Sequence, residues 1–316
     1  MELNLLVSSS PHIKSQQTTK KIMRDVLIAL IPATIAAAIF FGIKILLVVL
    51  VTVLSCIVSE YLWTKIFKKK STINDLSAIV TGVLLALNLT PTIPLWIAVI
   101  GGFFAIFIVK MPFGGLGHNF INPALAARAF LMASWPVQMT LWQNSAFDMV
   151  STATPLTLAK GGTEAVGSLP SIFNLFIGNV GGCIGETSAL ALLIGAIYLI
   201  IKKVITLEIP LTFIGTVALL TWIFGGENLF EGDFLFQILA GGLMLGAFYM
   251  ATDYTTSPIT SKGKVIMGVG CGLITAVIRL YGGYPEGVSY SILLMNLVVP
   301  LIDKFIIPKS FGGKKL

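Results

Sequence analysis

Ten residues near the middle of the chain, Asp148-Met-Val-Ser-Thr-Ala-Thr-Pro-Leu-Thr157, gather four hydroxyl side chains and a carboxylate in a sequence that is otherwise mostly hydrocarbon and glycine. By residue type alone the run reads as a polar loop, or as a cap on the short helix that Pro155 would open. Arg128 stands out for the opposite reason. It lies within Ala126-Ala-Arg-Ala129, in an apolar stretch where an unpaired cation is costly. Such an arginine either neutralises a bound anionic group such as a phosphate, or is paired within a bundle or snorkels outward. A third stretch, Pro112-Phe-Gly-Gly-Leu-Gly-His-Asn-Phe-Ile-Asn-Pro123, joins three glycines that permit close backbone approach to the polar groups of His118, Asn119 and Asn122. It is a candidate contact surface or a plain re-entrant turn.

Other chemistries lack their residues. His118 and His12 are the only histidines, which gives a histidine-based metal site little support. Cys56, Cys183 and Cys271 show no C-x-x-C spacing for an iron-sulfur site or a disulfide framework held by this chain alone, although one could be shared with a partner. No P-loop, no strand-flanked G-x-G-x-x-G and no H-E-x-x-H is present, so ATP hydrolysis and a Rossmann domain are not expected. Chemistry has to come through a bound cofactor.

The elements that position these groups follow from composition. With 316 residues, 56% hydrophobic, 11% charged and a mean hydropathy of +0.92, the chain is a polytopic membrane protein whose surroundings are lipid. A spanning helix needs roughly 20 apolar residues, and fewer when flanking side chains snorkel. Ten candidates emerge, at 26–43, 45–63, 76–89, 95–109, 123–135, 187–201, 209–224, 234–251, 265–278 and 288–302. If the N-terminus is cytoplasmic, ten spans place seventeen Lys and Arg residues inside and only Lys44, Lys160 and Arg279 outside, with Arg128 within a span. Both termini are then cytoplasmic, and the loop 136–185 with its hydroxyl run faces outward. The net charge of +7 is a topology signal and not a nucleic-acid footprint.

Internal similarity adds a plan. A constant offset sets Gly102 on Gly270, Ile106 on Ile274, Val109 on Val277 and Phe113-Gly-Gly115 on Tyr281-Gly-Gly283. A slightly shorter offset sets Thr81-Gly-Val-Leu-Leu-Ala86 on Gly241-Gly-Leu-Met-Leu-Gly246. Five spans per half is an odd number, so the halves would be inverted repeats. The expected architecture is an all-α polytopic membrane protein of about ten transmembrane helices. Residues 1–135 form the N-terminal tail and first repeat, 136–185 the outer loop, and 186–316 the second repeat and C-terminal tail.

With that frame, Asp148-x-x-Ser151-Thr152-Ala153-Thr154 resembles the flavinylation motif D-x-x-[ST]-G-A-T, whose last threonine is joined to FMN by a phosphodiester. The basic N-terminus, the spans, the Phe-Gly-Gly-Leu-Gly-His-Asn-Phe-Ile-Asn-Pro-Ala segment and Ala-Thr-Pro-Leu stand in this order. Nearly the whole chain thereby resembles the RnfD family, membrane components of the Rnf complex, an ion-translocating ferredoxin:NAD oxidoreductase of bacterial or archaeal cytoplasmic membranes. More distantly it resembles the NqrB component of the sodium-pumping NADH:quinone reductase. The resemblance implies covalent FMN on Thr154, with Asp148, Ser151 and Ala153 as parts of the motif that a flavin transferase reads. It implies that Gly114, Gly115, His118, Asn119 and Asn122 wall the flavin or a contact with a partner, while a functional Arg128 would by its type neutralise a phosphate or an anionic flavin ring. It implies electron relay to partner subunits carrying flavins and iron-sulfur clusters, coupled to outward movement of Na⁺ or H⁺. The quinone-reductase relative leaves room for a second, noncovalent flavin such as riboflavin, to which no residue is assigned. Thr152 departs from the usual glycine, and its β-branch restricts the backbone there. A solute channel or transporter with inverted repeats and no redox role accounts for everything except the hydroxyl run.

Overall fold

The computed structural model describes residues 17–69, 72–142, 154–161 and 169–307, and no strand occurs among them. Helices α1 (Thr19–Phe41) and α2 (Lys44–Ile66) show at once what solvent the chain is built for. Helix α2 buries Thr52, Ser55, Ser59 and Glu60 and exposes Leu47, Leu50, Leu54 and Val58. That is the reverse of a soluble amphipathic helix. It is what a lipid-facing helix does, because lipid solvates leucine while polar groups need protein partners. Helix α1 likewise exposes Ile28, Ile31, Ile35 and Ile39, at helical spacing, and buries Ala29, Leu30, Ala33 and Ala37.

The first half continues with α3 (Ser77–Leu87) and with α4 (Leu95–Phe103), which runs on as a π-helical stretch, Phe104–Lys110. Then come α5 (Pro123–Ser134) and the short α6 (Pro136–Thr140). Two short helices follow, α7 (Pro155–Ala159) and α8 (Ile172–Ile177). The second half comprises α9 (Ala189–Ile201), α10 (Glu208–Phe224), α11 (Phe234–Leu239), α12 (Leu243–Leu245) with its π-helical continuation Gly246–Met250, α13 (Ser261–Tyr281) and α14 (Val288–Phe305). Among the described residues four helices, α1, α2, α13 and α14, are long and apolar enough to cross a membrane. Five other expected spans appear as shorter apolar helices, at Ser77–Leu87, Leu95–Lys110, Pro123–Ser134, Ala189–Ile201 and Glu208–Phe224.

The expected span at 234–251 is not one helix. It breaks at Ala240-Gly241-Gly242, where Gly241 takes φ +71° and Ala240 is extended. An L-residue resists that left-handed conformation, and a glycine adopts it freely. Lys110, one of the seventeen cations placed inside, is buried at the end of the π-helical stretch, with Nζ 2.9 Å from Glu60 Oε2 and 2.5 Å from Ser77 Oγ.

Glycines set the closest helix contacts. A Cβ on Gly102 would meet Ser55 Oγ at 2.8 Å, so α4 lies directly on α2. A Cβ on Gly268 or Gly272 would meet α10 at Thr212 or Thr216, so α13 lies on α10 in the same way. Gly270, which the sequence offset pairs with Gly102, points instead at Met295 of α14. The halves meet through antiparallel pairs. Helix α9 crosses α1 at Gly195, where an added Cβ would overlap Ala29 O, while Tyr198 Oη donates to Asp25 Oδ1 at 3.2 Å. Helix α14 runs against α5: Asn122 N donates to Asn296 Oδ1 (3.1 Å), and Arg128 Nη1 donates to Ser289 Oγ (2.8 Å).

Candidate functional site

A cavity of about 560 Å³ opens where α5, α7, the 178–188 connector and the 282–287 connector converge. Arg128, Thr154, Glu186, Glu286, Ser289 and Tyr290 line it. Thr154 caps α7. Its Oγ accepts from Thr157 N at 3.2 Å and lies 2.7 Å from Thr157 Oγ, and Pro155 occupies the first helical turn, where its missing N–H costs nothing. The cap expected from residue type is therefore found, and Thr154 also lines the cavity. Asp148, Ser151 and Ala153 lie outside the described residues.

Arg128 projects from α5 into a buried polar network. Its Nη1 donates to Asn88 Oδ1 (2.9 Å), Glu186 Oε1 (3.1 Å) and Ser289 Oγ, and its Nη2 donates to Glu286 Oε2 (2.5 Å). The arginine is thus paired within the bundle and also faces the cavity. Glycine at the helix break makes room for the anions. A Cβ on Gly242 would strike Glu286 Oε1 at 2.5 Å and Glu186 Oε1 at 2.7 Å, and Gly242 N donates to Glu286 Oε1 at 3.0 Å. Arg279, at the end of α13, satisfies the carbonyls freed by the break. It donates to Gln237 O, to Ala240 O (3.2 Å) and to Glu286 O (3.1 Å).

The two carboxylates sit in connectors between helices and are not equivalent. Burial, reinforced by Glu286, drives Glu186 well above the ordinary carboxylate range. Burial would do the same to Glu286, but the Arg128 guanidinium outweighs it and holds that carboxyl at about 2. Arg128 lies within ion-pair distance of both carboxyls, at 2.5 Å to Glu286 and 3.1 Å to Glu186; the guanidinium favours the ionised form of Glu286, while burial favours the neutral form of Glu186.

The other expected site residues lie elsewhere. Asn119 and Asn122 line a second cavity of about 70 Å³, together with Ser77, Lys110, Tyr249 and Asp253. Gly114 and Gly115 take φ +116° and +83°, and a Cβ on Gly114 would touch His118 at 3.2 Å. None of these five lines the Thr154 cavity. Asn122 does connect the two regions, capping α5 through Oδ1 and donating from Nδ2 to Met250 O at 3.4 Å. Asn88 at the end of α3 reaches the same methionine.

Sequence reading missed Glu286, Ser289 and the Lys110–Glu60 pair. Glu60 was findable, being a carboxylate inside an apolar span, the placement that marks a paired or functional group. Glu286 carried no such signal, since it sits among the glycines and prolines of a connector.

Interrupted helices, a polar interior and a buried ionic cluster at a cavity define a polytopic membrane protein that handles charge or a polar ligand at depth. Sequence comparison narrows this class. The profile of the NQR2, RnfD, RnfE family matches residues 6–312, and the chain belongs to that family. It is 53% identical to the D component of the Na(+)-translocating ferredoxin:NAD(+) oxidoreductase complex of Acetobacterium woodii, over 100% of this chain and 98% of that protein. It is 48% identical to the D component of the proton-translocating ferredoxin:NAD(+) oxidoreductase complex of Clostridium ljungdahlii, over 98% and 96%. It is 36% identical to the D component of the ion-translocating oxidoreductase complex of Halorhodospira halophila, over 98% and 96%.

Proposed function

We propose that this chain is the membrane electron-transfer subunit of an ion-translocating ferredoxin:NAD⁺ oxidoreductase complex and carries FMN on Thr154 through a phosphodiester. The observation that carries the cofactor assignment is the meeting of Thr154 and Arg128 on one cavity. Its volume of about 560 Å³ lies within the range of small-ligand and cofactor cavities. The second cavity, at about 70 Å³, is too small for an isoalloxazine ring, so no noncovalent flavin is assigned to it.

FMN would supply one- and two-electron chemistry when bound. The chain's residues hold and tune the place. Esterification removes the hydrogen of Thr154 Oγ, so Thr157 Oγ–H becomes the donor across their 2.7 Å contact. Arg128 offers positive charge to an anionic occupant, and Glu286 offsets it. Glu186 holds a proton at its carboxyl, so the charge of the wall depends on that proton.

Partner subunits with flavins and iron-sulfur clusters, and a flavin transferase that reads the 148–154 motif, complete the proposed assembly. The antiparallel pairings α1 with α9 and α5 with α14 support two inverted five-helix repeats, with both termini cytoplasmic and Thr154 on the outer face of a cytoplasmic membrane.

The cofactor assignment is tested by co-expressing the chain with its transferase and viewing the denatured band under ultraviolet light. Wild type and Thr152→Ala should fluoresce yellow-green, and Thr154→Ala should be dark. A dark wild-type band refutes the flavin, and a fluorescent Thr154→Ala band refutes the residue.

A further inference from the structure

Helix α7, which carries Thr154 at its N-cap, meets the rest of the described structure through two different kinds of anchor. One is apolar. Leu156 is buried with Leu175, Val180, Phe236 and Ala240, and its Cδ1 lies where a Cβ on Gly241 would be, at 2.7 Å. Such packing holds the helix down, but it is non-directional and leaves rotation and sliding weakly specified. The other anchor is Lys160, just past the end of α7. Its ammonium donates to three backbone carbonyls, Ile278 O (3.1 Å), Gly282 O (2.5 Å) and Tyr284 O (3.0 Å).

Those carbonyls belong to the C-terminal end of α13 and the connector after it, where unpaired acceptors and the helix dipole favour a cation. Three donors on one tetrahedral nitrogen define an angle and a distance that leucine packing cannot. The acceptors also sit on the connector that carries Glu286, so the contact ties Thr154 to the same segment that holds the ion pair. Thr154 and Lys160 are separated by about 9 Å along the chain if the rise is helical throughout. A small change in tilt at Lys160 is thereby carried to the Thr154 hydroxyl. Partial burial and the nearby Arg279 guanidinium pull the Lys160 ammonium below its ordinary value.

We infer that Lys160 is a positioning residue, the latch that sets where the group on Thr154 projects into the cavity. This inference rests on the proposal that Thr154 carries FMN. A displaced reacting group loses rate while binding and folding stay intact.

The test uses the assembled complex purified with wild type, Lys160→Met and Lys160→Arg. For each, the fluorescence of the denatured band, the melting temperature, and kcat and KM for reduced ferredoxin with NAD⁺ are measured. Lys160→Met should keep its fluorescent band, melting temperature and KM for ferredoxin, while kcat falls about tenfold or more. Lys160→Arg, which retains carbonyl-directed donors, should recover most of that kcat. The inference is overturned if Lys160→Met turns over like wild type, or if both variants lose kcat and melting temperature together, which would make the residue merely structural. Loss of the flavin itself from Lys160→Met would assign the lysine to attachment and also overturn it. A dark wild-type band is a different failure, because it removes the flavin from Thr154 and leaves nothing to position.

Discussion

Arg128→Met is the most informative single change, because the structure says which groups it strands. Asn88 Oδ1, Ser289 Oγ, Glu186 and Glu286 all lose the guanidinium, and the two carboxyls are left facing each other at Gly242, whose N–H still donates to Glu286. Breaking a buried ion pair by deleting one partner costs about 3–5 kcal/mol, more than a hundredfold in the folded ratio. In a chain of this length that corresponds to a fall of roughly 5–15 °C in melting temperature. Glu286→Gln should cost a similar amount, since it leaves the guanidinium buried without its anion. Glu186→Gln should cost less than about 1 kcal/mol, because Glu186 is already driven toward its neutral form and glutamine retains an acceptor for Arg128. The pH dependence has a defined sign. In wild type the Glu286 carboxyl is held at about 2, below its unfolded value of about 4.3. Its contribution is complete above about pH 4.3 and is lost as pH falls toward 2. Arg128→Met removes that contribution and leaves a carboxylate that prefers to be protonated, so the gap to wild type should narrow as pH is lowered. Detergent-solubilised protein, melted across a pH series and followed by size-exclusion, measures all four proteins. Equal damage from Glu186→Gln and Glu286→Gln would refute the asymmetric pair, and an Arg128→Met protein melting within a degree or so of wild type would refute the buried network.

Two further outcomes test packing and orientation. Gly195→Ala would set a Cβ against Ala29 O and Tyr249 Oη, so it should force α1 from α9 and destabilise by about 2 kcal/mol or more, whereas Gly215→Ala, with open space around it on α10, should stabilise by up to about 1 kcal/mol; melting temperatures in the reverse order would contradict the α1–α9 contact. Cys56, Cys183 and Cys271 are buried, so an introduced exposed cysteine reports its own side of the membrane. Ala159→Cys should react with an impermeant maleimide on intact cells and Lys69→Cys only after lysis, and the opposite pattern would overturn the orientation.

The sequence made most helices legible because apolar runs in lipid have one dominant explanation, and the sites of nine expected spans are helical. It could not show the break at Ala240-Gly241-Gly242, where the hydropathy of residues 234–251 stays high through a change of backbone direction. Arg128 was legible because a lone guanidinium among alanines needs a partner, but its partners were not. They come from three separate segments, around Asn88, Glu186 and Glu286–Ser289, and only tertiary packing brings them together on α5. Thr154 was readable as a cap from its own neighbours, whereas its approach to Arg128 depends on Leu156 and Lys160 docking α7. The glycine-rich 114–123 segment showed the limit of proximity by type. Its residues looked suited to a ligand wall, yet the turn they form belongs with Lys110 and the small second cavity.

Two glycines that the sequence offset sets on each other, Gly82 and Gly242, serve different ends. Gly82 lies in unbroken α3, where its missing Cβ lets α2 approach, since an added one would come within 2.8 Å of Val53 Cα. Gly242 lies just after a broken helix, where the missing Cβ admits two carboxylate oxygens and the freed N–H binds one of them. Irregular backbone at membrane depth persists only where protein groups satisfy it or where it lines a cavity, and here Arg279 and Glu286 do the satisfying. Lys110, another buried cation at the end of a helical stretch, is instead committed to Glu60 and Ser77. A continuous helix through residues 234–251 would remove the left-handed turn at Gly241 and withdraw Gly242 N from Glu286. The break is therefore the structural condition for the ion pair, and with it for the cavity that Thr154 faces.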